Sequence, residues 1–261
     1  TGDRYLATSG DFFMATDIVD EVRREVLRAH ERLRAVRTQV LTQQDHITAM
    51  SRRVSGAEAS IRSLQGVQDP AARQTLGRDV AVEMEEARSS GRRAYTIGLE
   101  VARDLQAVQS SLSQVKADLD GVDRSGATPQ ERADLVALAS RVDSMAWAVA
   151  LTRPAATAVT ESMLYAEDRA RVVAEQALSS QAAVPADLLP DDLTPLNTDL
   201  ARAAGVGSHL QVTSSDSLRT AEVATEHSEL VSEAAHARMS MQQQRELPGE
   251  GPGLDSVGPQ W

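Results

Sequence analysis

The chain has 261 residues and a net charge of -11, with 26 arginines and a single lysine, Lys116, as its basic complement. It contains no cysteine, which excludes disulfides, thiol nucleophiles and thiolate metal sites, and an acidic balance without a basic stripe argues against nucleic-acid binding. Hydrophobic residues make up 41% but aromatic ones only 3%, a composition suited to an aliphatic core between long helices.

Residues 1–16 form an N-terminal arm without a charged-then-apolar leader pattern. From Val19, apolar spacings of three and four hold through Val22, Val26, Ala29, Leu33, Val36, Val40, Gln43, Ile47, Met50, Val54, Ala57, Ile61 and Leu64, with Gln43 the one polar member. That pattern predicts a helix from Asp17 to Gln65. At "QGVQDP" it breaks, with Asp69 placed to cap and Pro70 to open a second helix. The second track runs from Val80 to Leu119 and is lined at mid-length by Ala87, Gly91, Ala94 and Gly98. Counting back from the loops places Gln43 near Gly91 and the Pro154 region near Ala94, a narrow and poorly filled waist at which close helix approach is the favoured reading.

The stretch "ADLDGVDRSGATPQERADL" crowds Asp118, Asp120, Asp123 and Glu131 around two glycines and invites comparison with a calcium loop. With Asp120 first and Glu131 twelfth, the ligand positions fall on Val122 and Arg124, which cannot bind a cation. Thr128-Pro129-Gln130-Glu131 is instead a capping box with proline in the first turn, so the second helix, expected over Pro70 to Asp120, ends near Leu119 to Gly121 and another starts at Pro129.

The third track extends from Leu135 to Ala177 and predicts a helix from Pro129 to Ser180. Pro154 falls inside it at an outward position while the apolar phase continues, which fits a bend better than an end. This helix carries a second apolar stripe, Trp147, Leu151, Ala155, Ala158, Tyr165 and Val172, facing away from the first. A helix with two apolar faces needs two partners. One candidate cover is a later helix of the same chain. The other is a protein partner, which makes Trp147, Leu151, Ala155, Ala158 and Tyr165 the candidate partner-binding residues.

Residues 181–214 hold three prolines and two glycines and read as a linker. A shorter fourth helix is predicted over 215–245 on the spacing Val223, Leu230, Ala234, Ala237 and Met241, with His227 on the same stripe, and the tail 246–261 reads as disordered. Residues 185–261 carry 12 acidic and 4 basic groups, most of the charge excess.

Chemistry is scarce. Glu233-Ala234-Ala235-His236 matches the Glu-x-x-His element of di-iron bundles, but no other histidine has glutamate three residues before it, so a solvated helix face is the better reading. Phosphate-binding glycine loops and nucleophile elbows are absent from the sequence. The expectation is an all-α, elongated antiparallel bundle of three long helices over 17–180 plus a fourth shorter one. It is expected to be non-catalytic, to use no cofactor or metal and to work as a scaffold or interaction protein through protein partners or self-assembly. The alternative is a membrane-active bundle that inserts "MAWAVALTRPAATAV", a segment that Arg153 interrupts.

Overall fold

The spacing of three and four puts one apolar stripe on each helix, and four such stripes close on each other. The structure, a computed structural model, describes residues 9–64, 66–122, 124–125, 127–179 and 190–246. It contains four α-helices: α1 Ser9–Leu64, α2 Pro70–Gly121, α3 Pro129–Ser179 and α4 Pro190–Glu246. At 51 to 57 residues for the last three and α1 alike, each is about 80 Å long at 1.5 Å per residue. Contacts run α1 to α2, α2 to α3, α3 to α4 and α4 back to α1, so the all-α antiparallel bundle is a closed ring of four. Cross-helix pairs confirm the direction, with numbers rising on one helix as they fall on the next: Gln39 with Asp104 and Arg53 with Glu83, Lys116 with Asp143 and Arg88 with Glu167.

Local chemistry sets the ends. Asp69 accepts from the amides of Ala71 and Ala72 at 3.3 Å, and Pro70 opens α2. At the start of α3, Glu131 N donates to Thr128 Oγ1 at 3.2 Å while Thr128 N donates to Glu131 Oε2 at 2.7 Å, the reciprocal pair of a capping box. α3 then runs unbroken through Pro154.

Two helix starts depart from the sequence expectation. α1 starts at Ser9 and so takes in half of the expected arm; Phe12 and Ala15 stand one heptad ahead of Val19 and Val22, so the period continues upstream. The remainder of the arm, residues 1–8, and the tail 247–261 lie outside the described residues. The largest correction concerns 181–214. From Pro190 onward this segment is helical, and the fourth helix is the longest at 57 residues instead of the shortest. Its buried stripe is Leu193, Leu196, Leu200, Ala203, Gly207, Leu210, Ser214, Ser217, Ala221, Ala224, Ser228 and Val231, an unbroken heptad. Pro190 opens a helix without loss, because a first-turn amide has no intrahelical acceptor, and burial of four leucines outweighs the weak propensities of Pro195, Gly205 and Gly207. The stripe expected for this helix is displaced: Val223 is half-buried, and Leu230, Ala234, Ala237 and Met241 are exposed.

The waist is also shifted, and it is filled. Gln43 Nε2 donates to Ala94 O at 3.0 Å. A Cβ at Gly98 would meet Gln43 Nε2 at 2.6 Å and collide with Thr160 Oγ1, and one at Gly91 would lie 2.8 Å from Met50 Sδ. These glycines permit close approach, and long side chains from α1 and α3 occupy the space. Pro154 lies beside Gln109 and not Ala94, because the Lys116–Asp143 register carries the first turns of α3 beyond the end of α2.

Candidate functional site: the groove between α3 and α4

The seam between α3 and α4 is made of short side chains. Thr152 Oγ1 and Ser217 Oγ stand 2.7 Å apart, with Ala148 O 2.9 Å from the threonine hydroxyl and Thr213 O 2.8 Å from the serine hydroxyl. Ser162, Ser214 and Ser228 are buried along the same pair of helices. Of the nine buried polar residues, Gln43 alone lies outside α3 and α4, so the polar interior of the described bundle is concentrated here. Hydroxyls such as those of Thr152, Thr160, Ser217 and Ser228 hydrogen-bond to carbonyls about one turn back and are thereby satisfied inside the bundle, whereas Thr225 Oγ1 has no partner among the described residues. Longer contacts lock the seam at its ends: Arg169 Nε to Asp199 Oδ2 at 2.9 Å, His227 Nε2 donating to Asp134 O at 3.1 Å, and Arg238 paired with Glu131.

Because the flanking residues are small, the two helices leave a groove of about 640 Å³ on the outer surface. α3 contributes Ser140, Asp143, Ser144, Trp147, Ala148 and Leu151, and α4 contributes Thr213, Asp216 and Thr220. Trp147 is 67% exposed and Leu151 48%, and together they form an apolar wall. Asp143 is engaged, since Lys116 Nζ donates to its Oδ1 at 2.7 Å, a hydrogen bond that raises the ammonium pKa above its ordinary value. Asp216 forms no ion pair among the described residues.

The candidate stripe divides under this geometry. Ala155 is buried at 7% exposure and Ala158 is half-buried, but α4 leaves Trp147, Leu151 and Tyr165 open, the last 59% exposed. Trp147 and Leu151 share the groove, whereas Tyr165 lies about four turns further along the rod and outside it. Ala158 lines a second hollow of about 480 Å³ beside Pro154 and Gln109, on the side of α3 that faces α2. Of the α4 residues of the groove, Thr213 falls in the expected linker, and Asp216 and Thr220 fall in the expected fourth helix, whose expected stripe from Val223 to Met241 does not turn them toward α3. The heptad running from Leu193 through Ser217 is the signal that places Thr213, Asp216 and Thr220 beside α3.

The metal-like and loop-like motifs resolve into structural contacts. His236 Nδ1 lies 2.8 Å from Ser232 O and its Nε2 is 3.2 Å from Asp20 Oδ2, so the histidine bridges to α1. Glu233 points outward as an exposed residue. Among the described residues no group of three His, Asp or Glu side chains could hold a metal ion. Glu131 is held by Thr128 and Arg238. Partial burial pushes its carboxyl pKa up, but the amide and hydroxyl of Thr128 and the guanidinium of Arg238 together bring it below the ordinary value. No protein family, curated protein or solved structure matches the chain.

Proposed function

We propose that this chain is a non-catalytic helical-bundle interaction protein that assembles with a protein partner through the outer face of α3 and α4. One observation carries the reading: nine of the twelve large hydrophobic side chains that are exposed among the described residues lie on these two helices. A monomer gains nothing from exposing apolar surface of this kind, and contiguous patches mark interaction sites. Trp147 is the natural anchor, since exposed indoles at the centre of an apolar patch carry a large share of interface energy. Its exposure also makes it dispensable for folding. The test is Trp147→Ala in the full chain, with thermal unfolding and co-purification from the source cells measured side by side. An unchanged midpoint with loss of a partner that the wild-type chain retains supports the proposal. Retention of every partner overturns it.

A second reading, membrane insertion of α3, draws on a different property. Pro129–Ala177 contains an 18-residue window of mean hydropathy 1.3, of which only 33% is buried in the bundle. Arg153 within the apolar segment opposes this, because a cation at the bilayer centre costs about 2.5–3.5 kcal/mol even on lenient scales. Dye release from liposomes on addition of the chain would favour insertion over protein docking.

A further inference from the structure

The groove on α3 and α4 has an apolar wall on one side and uncompensated negative charge on the other, and the two together specify an occupant. We infer that it receives a basic amphipathic helix from the partner, with a lysine or arginine of that helix seated between the Trp147 ring and the Asp216 carboxylate. This inference rests on the docking face proposed above and names the chemistry of what docks there.

Charge decides among the possible occupants. From Asp216 to Glu233 the groove side and outer face of α4 carry Asp216, Glu226 and Glu233 against one arginine, Arg219, while Glu222 and Glu229 share the α1-facing flank of Ser215 and His236. Among the described residues none of these five carboxylates forms an ion pair, whereas α4 does pair Asp199 with Arg169, His236 with Asp20 and Arg238 with Glu131. A second copy of the chain would bring the same acidic row and a further net charge of -11 to the contact, and like charges facing each other are penalised. An anionic lipid surface meets the same repulsion. A basic helix instead meets complementary charge along α4 and apolar surface along α3.

The dimensions suit a helix as well. Exposed apolar residues border the seam from Val136 through Trp147 to Leu151 on α3, with Leu230 exposed on the adjoining stretch of α4. Fifteen residues of α3 rise about 23 Å, or four turns, which matches the i, i+3, i+4, i+7 anchors of a helix laid in a groove. An exposed indole face attracts a cation within about 6 Å, and arginine and lysine also lay their apolar stems along such a surface. The hydroxyls of Ser140, Ser144, Thr213 and Thr220 line the same groove without adding bulk.

The experiment uses the full chain with Trp261→Phe, so that Trp147 is the one indole. The probe is an 18-residue helical peptide made of leucine and lysine only, and its counterpart replaces each lysine with glutamate. The expected result is a saturable change in Trp147 emission with the lysine peptide that weakens as salt rises, and none with the glutamate peptide. Asp216→Asn should weaken lysine-peptide binding about three- to fivefold, the range expected for loss of one exposed charge pair. Glu100→Gln, the same change of net charge at a half-buried position of α2 away from the groove, should leave it unchanged. Leu151→Ala should weaken it through the wall. Equal binding of both peptides, or equal effects of Asp216→Asn and Glu100→Gln, overturns the basic-helix assignment while the docking face tested by co-purification stands. An emission change produced by anionic vesicles and not by the peptide overturns it in favour of lipid.

Discussion

The two hairpins of this bundle are built on opposite rules. In α1 and α2 the seam is Val, Leu, Ile, Met, Ala and Gly with one glutamine, and the surface flanks are charged: Arg53 reaches Glu83 at 3.2 Å and Glu86 at 2.7 Å. In α3 and α4 hydroxyls enter the seam and large apolar side chains go outside. The difference is energetic before it is functional. A buried Leu or Val contributes about 1.5–3 kcal/mol relative to exposure, whereas a satisfied buried hydrogen bond contributes only about 0.5–1.5. The first hairpin is therefore organised to hold, and the second holds less strongly per heptad while leaving large apolar side chains on its surface. An apolar interior diluted by hydroxyls, beneath an exterior that keeps large apolar side chains, is the pattern expected where part of the hydrophobic driving force is reserved for association.

The sharpest way to break this comparison is to remove one residue from each seam. Leu105→Ala, at a fully buried position of α2, should destabilise the chain by about 2–5 kcal/mol in urea unfolding. Ser217→Ala should cost about 1 kcal/mol, since it removes one partner of Thr152 while Ala148 O remains within reach. The double variant Thr152→Val, Ser217→Ala should cost less than the two singles added together, because no hydroxyl is then left without its neighbour. Additive or larger losses in the double variant would show that the hydroxyl pair is not a coupled unit and that the two seams do not differ in the way described.

A gentler test uses glycine at two positions. Gly98 faces Gln43 and Thr160 so closely that Gly98→Ala should destabilise by about 1–3 kcal/mol. Gly205 on α4 has open space around it, so Gly205→Ala should stabilise by about 0.4–1 kcal/mol through helix propensity alone. Thermal midpoints moving in the same direction for both would contradict the assigned packing.

The same inversion explains what could be read from the sequence. The tracks of α1, α2 and α3 were legible because their seam positions are Val, Leu, Ile, Met, Ala and small residues, with Gln43 and Thr152 the two polar interruptions. The track of α4 was not, because Ser214, Ser217 and Ser228 occupy its seam while Leu230 and Met241 stand outside, so a hydrophobic count selects the wrong face. Pro190, Pro195, Gly205 and Gly207 reinforced the error, since local propensity speaks for a linker where tertiary packing enforces a helix. Trp147 and Leu151 were visible as a surplus of apolar surface on α3. Asp216, on which the proposed preference for a basic partner rests, needed the placement of α4.

The smallest expected effect concerns the point where the start of α3 meets the end of α4. Glu131 caps its own helix through Thr128 and pairs with Arg238 across the seam, and these contacts hold its pKa below the ordinary carboxylate value despite the opposing effect of burial. A carboxylate with a lowered folded pKa contributes stability that is present above the unfolded value, about 4.3 for glutamate, and is lost as pH falls through the folded one. Glu131→Gln keeps a side chain able to complete the cap but removes the charge facing Arg238. It should therefore cost about 1 kcal/mol or less at neutral pH, and the gap between variant and wild type should close on acidification through that range. The matching change in the first hairpin, Glu83→Gln beside Arg53, touches a carboxylate with a second acid, Glu86, on the same guanidinium. It should produce a smaller difference at neutral pH, because Glu86 keeps the pair. A Glu131→Gln curve that stays parallel to wild type from pH 7 to pH 3 would show that the charge plays no part in joining α3 to α4 and that the cap alone secures that end of the seam.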